Sequence, residues 1–302
     1  NHFRVQEGKI LTLEGTLSEQ QKEASKAIIK TIKNYETRLL WAVTGAGKTE
    51  MLFEGIAYAL KNKKRVCIAS PRIDVCLELA PRIKEAFPNT ELAVLYGGME
   101  EEYNYTQLVI ATTHQLYRFK KAFDVLIIDE VDAFPFHSDD SLQFAANKAK
   151  KKEGSLIFLS ATPSRSMQGQ VKNKKLLATI LPARYHGYPL PVPQLKWCNH
   201  WHRKLLKNPL KTSFGKKVAS LIKNEKRFII FVPNIEWMLK FEKRLRTLFP
   251  HHSFEAVSAE DPERKSKVRL MREKQLQFLI SSTILERGVT FPNIDVLVIG
   301  AE

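Results

Sequence analysis

Cysteine is scarce in this chain, acid is short, and no apolar run is long. Three cysteines in 302 residues, Cys67, Cys76 and Cys198, form no C-x-x-C pair. That argues against a disulfide framework or a cysteine zinc site and fits a reducing cytoplasm. No apolar stretch approaches the roughly 18 residues needed to cross a bilayer, and no secretory signal stands at the start, so neither a membrane-spanning helix nor an exported protein is expected. The acid shortage leaves 48 Lys+Arg against 32 Asp+Glu, a net charge of +16. This excludes an acidic scaffold and favours a polyanionic partner, with a merely solubilising surface as the plainer alternative. The first residue is Asn1 rather than Met, so the expectation is a piece of a longer polypeptide.

What is present is enough for two cores. The hydrophobic content is 44%, and the length suits about two units of 100 to 200 residues. Ser18 is placed to cap a helix running to about Lys33, with Ala24, Ala27, Ile28 and Ile32 at helical spacing. Strand-like runs then alternate with helical ones at Leu39–Val43, Arg65–Ala69, Leu92–Tyr96, Leu108–Thr112, Val125–Asp129 and Leu156–Ser160. Residues 181–194 hold four prolines and one glycine and read as a semi-rigid connection. The alternation resumes with strands at Phe228–Val232, Phe254–Val257, Phe278–Ser282 and Val296–Ile299 and helices at Ile235–Phe249 and Pro262–Glu273. The only biased tract is the basic segment Lys148–Lys152. The expected organisation is an N-terminal extension 1–16, a first α/β domain 17–182, a proline-rich connection 183–204 and a second α/β domain 205–302, with mainly parallel sheets.

Two motifs carry chemistry. Residues 42–49 read AVTGAGKT between a strand-like run and helix-forming sequence, and DEVD at Asp129–Asp132 closes the apolar run Val125–Ile128. A glycine-rich turn opening a helix aims backbone N–H groups at phosphates. Ala42, Val43, Thr44, Gly45, Ala46, Gly47, Lys48 and Thr49 are therefore the expected cradle, although Ala42 stands where the strict phosphate-loop pattern has glycine. Lys48 reaches the terminal phosphates, the Thr49 hydroxyl ligates Mg²⁺, and Asp129 holds the metal from its other side. Glu130, at a strand's carboxyl end, is placed to polarise an attacking water. ATP and Mg²⁺ are the cofactors these residues call for. No second phosphate loop occurs downstream.

The chain resembles superfamily 2 helicases and, within them, the ComFA competence proteins, which are similar to the primosomal helicase PriA. The resemblance rests on LSEQQ at 17–21, AVTGAGKTE at 42–50, ASPR at 69–72, ATTHQL at 111–116, DEVDAFPF at 129–136, SAT at 160–162 and ILERGVTFPNIDVLVIG at 284–300, in family order. It implies two tandem RecA-like domains that close on ATP and release on hydrolysis. It puts Gln21 against the adenine edge, with an exposed helix glutamine as the alternative. Ser70, Pro71, Arg72, Thr112 and Thr113 would hold nucleic-acid phosphates in the first domain, or Ser70 and Thr113 would cap helices. Thr283, Arg287 and Gly288 would touch the strand in the second domain, and Thr290 replaces an acid common in other helicases. Asp132, Ser160 and Thr162 would couple the nucleotide site to the track.

By resemblance the activity is an ATP-dependent single-stranded DNA translocase that helps import transforming DNA, working with ComFC, DprA and the ComEC channel at the inner face of the membrane. A PriA-like replication-restart helicase and a nucleotide-gated DNA-binding scaffold are the alternatives. The family's four-cysteine zinc module is absent here, so zinc is expected only upstream of Asn1. The arginine-rich motif Q-x-x-G-R-x-G-R is also missing, and weak hydrolysis by this polypeptide alone is the corresponding expectation, since such an arginine is worth about 10³ to 10⁵ in rate. His186, Cys198, His200 and His202 do not match a known zinc spacing and are read as surface or packing residues. Trp197 and Trp201 beside them either pack the connection or stack on bases.

Overall fold

The computed structural model describes residues 10–12, 16–98, 103–183, 192–258, 260–282, 291 and 293–300. The chain divides into two compact units, Asn1–Val192 and Pro193–Glu302.

The first unit opens with α1 (Glu19–Asn34), whose start is fixed by a capping box: the Ser18 hydroxyl accepts from the Gln21 N–H, and the Ser18 N–H donates to the Gln21 side chain. Seven strands follow, β1 (Thr37–Ala42), β2 (Val66–Ser70), β3 (Leu92–Leu95), β4 (Leu108–Thr112), β5 (Phe123–Ile128), β6 (Lys150–Ser160) and β7 (Leu177–Leu181). Between them lie α2 (Lys48–Lys61), α3 (Ile73–Ala86), α4 (Asp140–Ala149) and α5 (Arg165–Lys172). The order across the sheet is β3-β4-β2-β5-β6-β1-β7. Every described pairing in it is parallel.

Both faces of this sheet are covered, which explains why its inner strands read as unbroken apolar runs rather than as alternation. Val66 and Ile68 of β2 face one layer with Ile28, Ile56 and Ile83 from α1, α2 and α3. Cys67 and Ala69 face the other, with Leu142, Ala145 and Ala149 from α4. The basic tract is divided between two elements: Lys148 lies in the last turn of α4 and Lys150 begins β6. No strand was expected at Leu177–Leu181. β7 lies at the sheet edge with Leu177 and Ile180 exposed, so its sequence lacks the buried-run signature.

The second unit carries α6 (Trp201–Lys207), α7 (Ser213–Lys223), β8 (Phe228–Phe231), α8 (Ile235–Leu248), β9 (Phe254–Val257), α9 (Arg264–Arg272), β10 (Phe278–Ser281) and β11 (Asp295–Val298). Its parallel sheet has the order β11-β8-β10-β9. Phe228, Phe278 and Phe254 begin three neighbouring strands in register, and their rings stack at 4.6 and 4.3 Å between centroids, anchoring the amino edge. Among the described residues no helix is long and apolar enough to cross a membrane.

Candidate nucleotide and nucleic-acid site

Strand register gathers the motifs. β6 lies between β1 and β5, with Trp41 opposite Ser160 and Ile128 opposite Phe158. With strands about 4.8 Å apart, the phosphate loop after β1 and the DEVD segment after β5 stand roughly 10 Å apart on one carboxyl edge, with Ser160 between them. Further along that edge, Ser70 ends β2 and Thr112 ends β4, opposite each other.

The phosphate loop is a built turn. Gly45 and Gly47 have φ of 81° and 75°, in the left-handed region where glycine is unstrained. The Ala46 N–H donates to the Val43 carbonyl at 3.1 Å, and α2 starts at Lys48 without a side-chain cap among the described residues. Its first-turn amides thus remain available to an anion. Ala42 is fully buried at the end of β1, where a methyl is accommodated; the missing glycine is therefore no obstacle. Thr44 and Gly45 are open to solvent.

Gln21 is found behind this loop. Its amide nitrogen donates to the Ala46 carbonyl at 2.9 Å while its oxygen accepts from the Ser18 N–H at 2.8 Å. A Cβ on Gly47 would come within 2.5 Å of that nitrogen. The side chain is buried, not an exposed helix glutamine, and it ties the start of α1 to the phosphate loop.

Asp129 is buried beside Lys48, and one of its oxygens accepts the Glu130 N–H at 2.8 Å. Burial pushes its carboxyl above the usual range, the Lys48 ammonium pulls it back down, and Asp132 raises it further. A poorly solvated carboxylate supplies the oxygen ligand that suits a phosphate-bound Mg²⁺, while the Lys48 ammonium beside it suits the phosphates themselves. Thr49 already has a neighbour, because Arg82 on α3 donates to its hydroxyl at 3.4 Å and also pairs with Glu50. Sequence gave no sign of Arg82, an ordinary helix arginine brought there only by the packing of α3 on α2.

Glu130 has φ of 50°, a left-handed conformation uncommon for a side chain of its size, and its carboxylate lies 3.9 Å from the Arg72 guanidinium. Arg72 therefore faces the candidate water-activating residue as well as the edge of the proposed track. The Asp132 carboxylate accepts from the Ser160 hydroxyl at 2.5 Å and from the Thr162 hydroxyl at 2.7 Å. The Thr162 N–H closes the group by donating to the Ser160 oxygen at 2.9 Å.

The hydroxyls expected along the track are less accessible than the sequence suggested. Ser70, Thr112 and Thr113 are all buried, and Thr113 exposes no surface. They stand on or just past the ends of inner strands, so ready contact with a phosphate is left to backbone amides and to the half-buried Pro71 and Arg72. Neither Ser70 nor Thr113 caps a helix: the N-cap position of α3 is Arg72, with no side-chain cap, and the short 3-10 turn Thr113–Arg118 follows Thr112, likewise without one. Thr283, Arg287, Gly288 and Thr290 of the second unit, and His186, lie outside the described residues. Among the described residues no group of three or more His, Cys, Asp or Glu is gathered to hold a metal. Trp201 packs, its ring 5.1 Å from that of Trp237, whereas Trp197 is 92% exposed.

Two parallel sheets, the first bearing a phosphate loop, an Asp-Glu pair and a Ser-Ala-Thr turn on one carboxyl edge, define the class: this is a superfamily 2 helicase core. Residues 14–165 match the family model described as Type III restriction enzyme, res subunit, and 213–300 match the Helicase conserved C-terminal domain. The structure resembles Mss116p, solved with ssRNA and AMP-PNP, at a TM-score of 0.70 and 19% identity over 94% of this chain and 64% of that one. The chain is 46% identical to Competence protein ComFA of Bacillus subtilis (strain 168) and 39% identical to that of Streptococcus pneumoniae (strain ATCC BAA-255 / R6), each over 97% of its own length. It spans 63% and 67% of those two relatives. The chain belongs to the ComFA family of competence proteins.

Proposed function

We propose that this chain is the ATP-driven motor of a translocase that moves along single-stranded DNA and helps draw transforming DNA into a competent cell. The observation that carries this reading is the shared carboxyl edge, where strand register sets the phosphate loop, Ser160, Asp129, Ser70 and Thr112 in one row. Lys48 and the loop amides bind and orient the phosphates, with Gln21 bracing the loop toward the base. Thr49 and Asp129 would hold Mg²⁺, which supplies neutralisation of phosphate charge. Glu130 takes the proton of the attacking water.

Asp132, Ser160 and Thr162 form the relay between the two ends of the row. A carboxylate held by two hydroxyls on an adjacent strand end has discrete alternatives, one bond or both, and so can report the state of Glu130 two residues away. Arg72 joins the same path, since one guanidinium faces Glu130 while its loop leads the track. In the second unit Thr283, Arg287 and Gly288, which follow β10 in the sequence, supply the other contact. Phosphates rather than bases are gripped, so stepping is independent of sequence.

The test is ATP turnover by the complete natural protein with single-stranded DNA, duplex DNA and RNA at one salt concentration. Single-stranded DNA of any sequence is expected to stimulate, and Lys48→Ala or Glu130→Gln to abolish turnover while the chain stays folded. Stimulation by RNA alone would overturn the substrate. Wild-type protein that binds DNA without turnover would leave a nucleotide-gated scaffold, and unwinding confined to forked DNA would mark a PriA-like helicase.

A further inference from the structure

Between Glu153 and Glu225 the chain holds no aspartate or glutamate, yet these 71 residues carry 13 lysines and arginines. In the second unit this stretch forms α6, α7 and the short turn between them, where Arg203, Lys204, Lys207, Lys211, Lys216 and Lys217 are all exposed. Among the described residues none of the six enters an ion pair. Cations elsewhere in the same unit do: Lys240 pairs with Glu236 at 2.6 Å, Arg246 with Glu242 at 2.7 Å and Lys267 with Asp261 at 2.9 Å. Nor do these charges serve their own helices. Lys216 and Lys217 lie near the amino end of α7, where the helix dipole disfavours cations and no acid balances them.

The packing turns this surface toward the working edge of the second sheet. A Cβ on Gly300 would stand 2.9 Å from the Trp201 ring and 3.4 Å from Pro233, so Gly300 and Pro233 lie together beside the start of α6. Those residues follow β11 and β8 by two positions, and the His202 carbonyl accepts from the Trp237 indole in the first turn of α8. The far end of α7 is fixed at the opposite edge, where the Ile222 carbonyl accepts from the Gln277 side chain just before β10. Eleven helical residues span roughly 16 Å, which returns the amino end of α7 to the carboxyl side. Ahead of α6, Trp197 is 92% exposed, with its indole N–H held by Asn199.

We infer that α6, the turn and the amino end of α7 form a second phosphate-binding surface for single-stranded nucleic acid, outside the motif loops, on which Trp197 stacks against an unpaired base. The inference rests on the reading of this chain as a single-strand motor. Unpaired cations beside an exposed indole are the combination that holds a flexible strand: ammonium groups track its backbone, and a ring accepts any base. The surface keeps hold of the strand while the motif loops change grip.

The experiment measures binding of the complete protein to fluorescent oligo(dT), without nucleotide, across a series of salt concentrations. Each single-strand phosphate contact contributes about 0.7 to the salt slope, so Lys204→Gln/Lys207→Gln/Lys211→Gln should lower the slope by about 2, and the corresponding triple arginine variant should keep it. Trp197→Ala should leave the slope alone and weaken binding at fixed salt by roughly five- to 150-fold, the range for removing one stacked base. A glutamine variant with the wild-type slope overturns the inference. So does unchanged DNA binding with lost binding to phosphatidylserine vesicles, which would assign the surface to a membrane. Wild-type protein that fails to bind oligo(dT) overturns the motor reading underneath it.

Discussion

Replacing Ser160 by alanine isolates the proposed relay of the first unit. The Ser160 hydroxyl is buried, donates to the Asp132 carboxylate at 2.5 Å and accepts the Thr162 N–H at 2.9 Å. Hydrogen bonds to a charged group contribute about 1.5 to 3 kcal/mol when buried, so Ser160→Ala should cost about 2 kcal/mol. Thr162 makes a similar bond to the same carboxylate but from an exposed position, where water replaces the lost partner, and Thr162→Ala should cost about 0.5 kcal/mol. For a unit of this size the first change lowers the calorimetric midpoint by about 4 to 8 °C and the second by about 1 to 2 °C. Repeating Ser160→Ala in an Asp132→Ala background removes the shared partner, so most of its cost should vanish, leaving a coupling of at least about 1 kcal/mol. Equal costs in the two backgrounds would refute the bond. If stability behaves as expected but DNA-stimulated turnover stays tied to movement in Ser160→Ala, the bond is structural and the relay is wrong.

Two further outcomes test the site from other directions. Gly47→Ala forces φ of 75° on an alanine and drives its Cβ to 2.5 Å from the Gln21 amide; the left-handed conformation alone costs about 1 to 2 kcal/mol, and affinity for a fluorescent ATP analogue should fall at least tenfold. Wild-type affinity there would show that Gln21 does not brace the loop. Thiol labelling at pH 8 should modify Cys198 only, because Cys67 is buried and burial pushes the Cys76 thiol up to about 12, with all three reacting once the chain is unfolded. Rapid labelling of Cys76 in the native protein would mean that α3 does not seal the edge of the sheet.

Most of the strand pattern was legible because the inner strands are buried on both faces and read as apolar runs, as Leu108–Thr112 does with the bounds its composition suggests; Phe254–Val257, at the edge of the second sheet, was legible because three of its four residues are buried. Helix ends were legible where a side chain supplies the cap, as Ser18 does for α1. β7 was not, since an exposed edge strand after a lysine-rich turn has no such signature. The phosphate loop and the Asp-Glu pair were recognisable for a similar reason: their chemistry needs particular residues in close succession. Arg82, by contrast, acts on residues more than thirty positions away through the packing of two helices, and no local pattern marks it. The burial of Ser70, Thr112 and Thr113 was not legible, because hydroxyl chemistry says nothing about whether a strand end is covered.

The sequence by itself determined which chemical groups stand in the proposed nucleotide site, a glycine turn, Lys48, Thr49, Asp129 and Glu130, together with the chain's surplus of cations. It did so because local backbone geometry and residue chemistry are written in short, contiguous stretches. Only the tertiary structure decided that the five strand ends form one row, that Asp132 holds hydroxyls from the end of β6 and the turn after it, that Gln21 braces the loop from behind, and that six cations with no ion pair among the described residues lie along α6, α7 and the turn between them. Those relations depend on parallel register and helix packing between residues far apart in the chain, and they exist only once the sheets have formed.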